Sequence, residues 1–264
     1  MIITNLKIIL KGILGENNSL IIYKFKNKLI RKLRIAKKII TLLIFPVKNF
    51  YRIKGKIYLY HGNLFEYTEQ YKNPFFYGLA NKRESIRDFL ILKDGKFPFP
   101  NESVDKFQSE DVFEHLELKL VIPTLNEIHR ILKKEGFFRL SLPDYRSPLL
   151  LKRTIYNYKG EALGDAAMGA CAYAGLNSDL KVKFISKKGD NHLWLPNYEK
   201  VKNLLNNSKF KGSKITFHHF IKEDGSFSAS EIPMMDIFKV QRVPPHDTRS
   251  GGMPISIVVD IIKN

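Results

Sequence analysis

Followed by its apolar and polar positions, the chain divides into a helical N-terminal stretch and a longer region of short apolar runs alternating with helical periodicity. Over residues 24–45, Leu29, Ile30, Leu33, Ala36, Ile40 and Leu43 recur at spacings of three and four. That spacing predicts one amphipathic helix, which Pro46 ends. Residues 57–60 and 74–79 are short apolar and aromatic runs that predict strands. Residues 100–103 predict a turn and 104–108 a strand. A helix follows, with Pro123 in its first turn, Leu125, Ile128, Ile131 and Leu132 as its buried stripe, and Gly136 as its stop. Residues 137–142 are the next strand, cut off by Pro143 and Asp144. Strand, helix, strand of these lengths is a βαβ unit and predicts a parallel sheet. Such sheets take ligands at the carboxyl ends of their strands. Here those ends carry Ser109, Glu110 and Asp111 on one side and Asp144 and Tyr145 on the other.

Length and composition fit this division. With 264 residues, 44% of them hydrophobic, the chain can build one good-sized core plus an extension. The expected boundaries are 1–56 for a basic helical extension and 57–264 for the α/β domain. A lone cysteine, Cys171, excludes an intramolecular disulfide framework and fits a reducing, cytoplasmic setting. The longest nearly uncharged apolar run is nine residues, 39–47, against the roughly 20 a spanning helix needs. No transmembrane segment or cleaved secretory signal is therefore expected.

Charge changes the picture of the extension. The net charge is +18, yet residues 1–56 hold fourteen Lys and Arg against the single acid Glu16, leaving only +5 on the rest. The helix at 24–45 can pack its stripe on the domain, or lie on an anionic membrane as a peripheral element at the inner face. Nucleic acid is disfavoured as a partner, since no base-reading motif accompanies the charge.

Candidate chemistry is sparse. His115 follows the 104–108 strand and suits a general base, its ordinary pKa being near neutral. Glu114 reads as a brace for its loop. Glu110 and Asp111 are neighbours that need not converge. His218 and His219 fall on opposite faces of a strand, so no metal site is predicted. No G-x-S-x-G elbow occurs. Residues 160–175, rich in small side chains, read as a mobile loop or lid. His192, Trp194 and Tyr198 suit either a substrate mouth or packing against the sheet.

One block carries a family resemblance. It begins with Pro98-Phe99-Pro100-Asn101-Glu102-Ser103-Val104-Asp105, continues to Ser109 and Glu114-His115-Leu116, and runs through Glu127-Ile128-His129-Arg130-Ile131-Leu132-Lys133-Lys134-Glu135-Gly136 to Leu142-Pro143-Asp144. This order resembles the class I S-adenosylmethionine-dependent methyltransferases of the type 11 kind. His192, Trp194 and Tyr198 resemble that family's approach to its fifth helix, and residues 254–260 its last strand. The resemblance spans about 57–263. It implies an α/β, Rossmann-like, mostly parallel sheet with an antiparallel C-terminal strand, and S-adenosylmethionine as cofactor. It places His61, Gly62, Asn81, Asp94, Ser109, Glu110 and Asp111 on the cofactor side. His115 falls at the chemistry, with Asp144, Tyr145, His192, Trp194 and Tyr198 toward substrate. Two departures stand out. Only His61-Gly62-Asn63 replaces the glycine-rich loop, and Gly78-Leu79-Ala80-Asn81 has no acid for the ribose. Two readings follow. One is a methyltransferase acting on an oxygen or nitrogen of a small molecule, surface glycan or lipid-linked sugar; the other is a non-catalytic binding or scaffold protein of the same fold. No oligomeric state is predicted.

Overall fold

The computed structural model describes residues 55–65, 69–170, 191–233, 240, 242–243, 247 and 249–264. The expected helix at 24–45 and Cys171 lie outside the described residues. The chain divides into the units Met1–Lys48 and Asn49–Asn264, and every described residue belongs to the second.

The strands of that unit are β1 (Tyr58–His61), β2 (Phe76–Ala80), β3 (Asp88–Leu90), β4 (Val104–Glu110), β5 (Leu132–Pro143), β6 (Thr154–Tyr156), β7 (Ala162–Asp165), β8 (Gly169–Ala170), β9 (Lys214–Ile221), β10 (Phe227–Ala229) and β11 (Ser256–Ile262). The helices are α1 (Leu118–Ile131), α2 (Pro148–Leu151) and α3 (Tyr198–Asn206). Eight strands form one sheet in the order β10-β9-β11-β5-β4-β1-β2-β3, and β6-β7-β8 form a second, small sheet. From β3 to β5 every pairing is parallel, whereas β11 runs antiparallel to both β5 and β9. The predicted βαβ unit is present as β4-α1-β5.

Burial explains why the central strands read as nearly continuous apolar runs. Helix α1 lays Val121, Leu125, Ile128 and Ile131 against Leu59, Phe107, Phe138 and Leu140, and α3 adds Val201 and Leu205. Each such side chain contributes about 2 kcal/mol on burial. Within the sheet, Arg139 of β5 is fully buried and grips Asp260 of β11 through two hydrogen bonds, 2.7 and 2.6 Å long. His218 of β9 reaches the same carboxylate at 2.9 Å. The triad fixes the antiparallel strand between its two neighbours. Burial alone would raise the Asp260 pKa, but Arg139 and His218 hold it below the usual value.

Three local expectations are corrected. Helix α1 begins at Leu118, so Pro123 lies inside it. The bond that Pro123 cannot donate would go to the carbonyl of Lys119, whose residue is exposed, where water can take its place. Gly136 is not the helix stop: β5 starts directly at Leu132, and Glu135 takes the left-handed turn with φ 61°. Part of the expected lid, residues 162–165 and 169–170, forms β7 and β8.

The β3 side of the sheet is trimmed. Only residues 81–87 join the parallel neighbours β2 and β3, where a crossover normally needs a dozen or more. Asp88 makes this short passage workable. Its carboxylate accepts from the backbone of Leu64, Glu84 and Ser85 and from Asn63 Nδ2, at 2.7–2.9 Å. Gly78 leaves the room, because a Cβ there would sit 2.2 Å from Asp88 Oδ1 and 2.8 Å from two backbone atoms of the β1 loop.

The strand order reverses between β1 and β4, the usual ligand crevice of such sheets. His61 ends β1 there, buried, with its Nδ1 3.2 Å from Ser109 Oγ and its ring edge-on to Phe107 and Phe113. Burial lowers its pKa to about 4.

Two outcomes follow. Replacing Gly78 by Ala should cost about 3 kcal/mol, because two of the atoms it meets are backbone and cannot move aside; the shift in urea midpoint measures this. His61 is neutral when folded and has an ordinary pKa of 6.5 when unfolded. Its contribution is therefore complete above pH 6.5 and is lost as pH falls toward 4, by about 3 kcal/mol. In urea titrations between pH 7 and 4.5, His61→Phe should lose correspondingly less stability than the unaltered chain.

Candidate active site

After β4 the backbone turns out of the sheet at Asp111, whose φ of 52° is left-handed and strained for a residue with a side chain. A single 3-10 turn, Phe113–His115, leads to α1. Residues 191–194 lock this turn from above. Trp194 Nε1 donates to the carbonyl of Phe113 at 2.9 Å, and the Leu193 N–H donates to that of Glu114 at 2.7 Å.

The side chains this brings together lie at the carboxyl ends of β4 and β5. Tyr145 follows β5, and its hydroxyl donates to Asp165 Oδ2 at 2.8 Å. Arg153 holds Asp165 from the other side at 2.7 Å. With its proton committed, the Tyr145 oxygen accepts from His192 Nδ1, 2.6 Å away. His115 Nδ1 lies 3.0 Å from the carbonyl of Asn191, which can only accept. Both imidazoles thus commit Nδ1 to a partner and turn Nε2 inward. Each Nε2 is 3.8 Å from the same atom, Glu114 Oε1, and the two rings meet edge to face at 4.9 Å.

Glu114 is fully buried, and neither of its carboxylate oxygens has a hydrogen-bond partner. Burial, reinforced by the negative charge of Asp111, raises its pKa to about 8. Asp111 binds Arg242 through Oδ2 at 3.1 Å, while its buried Oδ1 has no partner. Burial raises its pKa too, against the pull of Arg242. Burial, with His115 beside it, lowers that of His192 to about 3. Burial and the Asp165 carboxylate raise that of Tyr145.

The structure sorts the residues expected at the site. His115, Asp111, Tyr145 and His192 come together, with His115 and Asp111 partly exposed and the other two buried. His61, Gly62 and Ser109 meet at the β1–β4 crevice, with buried Glu110 ending β4. Others do not join them. Asp94 sits on an exposed turn, its carboxylate taken by Lys96, and Asn81 is exposed after β2. Asp144 accepts from the backbone of Arg146 and Ile221, tying β5 to β9. Trp194 is core, and Tyr198 stacks on Phe220 of β9. Glu114 does not brace its loop through its side chain. Asp165, Arg153 and Arg242 were not expected, because the pairs that bring them in are long-range.

Toward S-adenosylmethionine the reversal point offers Gly62, whose φ of 130° is open to glycine, but the Gly62 N–H and C=O both pair with Leu79 of β2. Among the described residues no free carboxylate stands on the β2 side: Asn81 follows the strand where an acid would be expected, and Asp88 is consumed by its four donors.

Residues 76–140 match the family described as a methyltransferase domain. No curated protein matches the sequence. Among solved structures, the chain is similar to an S-adenosylmethionine-dependent methyltransferase from Archaeoglobus fulgidus at 12% identity and TM-score 0.39, covering 91% of this chain and 99% of that one. It is also similar to one from Mesorhizobium loti at 14% identity and TM-score 0.44, covering 84% and 94%. The matched segment runs from β2 through the β4-α1-β5 unit, the same unit that builds the cluster. What the chain shares with the methyltransferase domain family is therefore this segment, residues 76–140, set in the sheet order described above.

Proposed function

We propose that this domain moves a methyl group from S-adenosylmethionine to an oxygen or nitrogen of an acceptor bound at the β4–β5 rim, beside His115. The observation that carries the reading is the placement of the His115 imidazole, its Nδ1 held by the Asn191 carbonyl, within the segment that matches the family. When bound, the cofactor supplies an electrophilic sulfonium methyl. Methyl transfer is an in-line displacement, so the protein's main task is alignment. The strand ends hold the two partners at one rim. For a hydroxyl acceptor, His115 Nε2 would take the proton that the acceptor gives up on receiving the methyl group. Asn191, through Nδ1, keeps that lone pair aimed. The acceptor class we favour is a surface glycan or lipid-linked sugar, which would suit a peripheral membrane position for the arm at 24–45.

The incomplete ribose side favours a second reading, a binding or scaffold protein that no longer takes the cofactor. Calorimetry with S-adenosylhomocysteine separates the two: saturable binding at one molecule per chain is expected, and absence of heat would leave the scaffold reading. In liposome flotation, vesicles containing anionic lipid should carry the full chain but not a chain lacking residues 1–56; equal flotation would remove the membrane assignment.

A further inference from the structure

We infer that Glu114, His115 and His192 form a binding site for a divalent transition-metal ion, of which Zn2+ is the natural probe. One ligand atom from each lies within 4.8 Å of the others. Three features point to a ligand. The first is the unpartnered Glu114 carboxylate, fully enclosed between two imidazoles. A buried carboxyl group is not normally left with both oxygens unpartnered, and such an orphan points to a missing ligand. The second is the orientation of the rings. The N–H of His115 goes to a backbone carbonyl and that of His192 to Tyr145, itself anchored on Asp165. Such outer partners are what fix the tautomer of metal-binding histidines and turn Nε2 toward the ion. The third is charge: Asp111 keeps a second buried oxygen unpartnered beside Glu114.

Two imidazoles and one carboxylate are a set that takes Zn2+ or Fe2+ and leaves coordination positions open. Ligand atoms around a tetrahedral ion stand about 3.4 Å apart, so the two 3.8 Å separations to Glu114 need to close by a few tenths of an ångström, and all three ligand atoms already lie within 4.8 Å of one another. The open positions face the His115 side, where the cluster meets solvent. This departs from the sequence, which predicts no metal, because His192 is 77 residues from His115 along the chain.

In the role assigned to the site we rest on the transferase reading. With an ion bound, the His115 lone pair is committed to it, and an acceptor hydroxyl would bind an open position and lose its proton more readily there. Binding of the ion itself does not depend on that reading.

The experiment uses the full chain without an affinity tag, stripped with chelator and titrated with Zn2+ by calorimetry in the absence of nucleoside. One equivalent should bind. Glu114→Gln and His115→Ala should each weaken binding by at least about 100-fold. Tyr145→Phe, which removes the hydroxyl that links His192 to Asp165 and leaves all three ligand side chains in place, should weaken it about 10–100-fold. His129→Ala, a histidine of α1 outside the cluster, should leave it unchanged. Circular dichroism and urea midpoints confirm that the variants are folded. Absence of saturable binding would overturn the inference, as would equal affinity in the Glu114→Gln and unaltered chains. Failure to bind S-adenosylhomocysteine would count against the transferase reading and leave the metal result standing.

Discussion

Parallel pairing of β4 and β5 across α1 is the constraint on which the rest of this domain depends. Because the two strands run the same way, their carboxyl ends share one rim, and the loops leaving them face each other. Four buried side chains of α1 hold the crossover in place. Everything with chemical potential in the described residues stands on that rim. The strained turn at Asp111 lifts the chain off the sheet, and the 3-10 turn presents Glu114 and His115 side by side.

The rim is tied from two directions. Residues 191–194 fasten the turn through backbone and indole bonds. The small β6-β7-β8 sheet supplies Asp165, which ends β7, and Arg153 and Tyr145 converge on it. The result is a chain of committed protons running from Arg153 to His192, ending on a carboxylate with no proton donor of its own. Such an arrangement stabilises nothing by itself: an enclosed carboxylate without partners costs the fold energy. That cost marks the cluster as built for a ligand rather than for stability.

The other half of the crevice follows a different economy. Between β2 and β3 a crossover helix is replaced by a seven-residue passage, and the Asp88 carboxylate does the work of holding it down. All of that carboxylate's reach is taken by four internal donors. Gly78, with no Cβ, is what lets the β1 loop and Asp88 approach so closely.

Much of this was determined by the sequence alone. Periodicity and turn chemistry predict the βαβ unit, the strand ends that carry the site and the ordered block of residues that marks the family, because these depend on spacing along the chain. The missing ribose acid is legible for the same reason, as is the lone His61-Gly62-Asn63 loop. Tertiary structure decided the rest. Pro123 enters a helix because burial of Val121 and Leu125 outweighs one missing bond to an exposed carbonyl. Asp144 and Trp194, plausible at a substrate mouth, are consumed by backbone partners that only folding brings near. Glu114, His115 and His192 become one cluster because a strand end and a segment nearly eighty residues later converge. Sequence spacing records nothing of such proximity: it is set by which faces of the sheet and helices must be buried together.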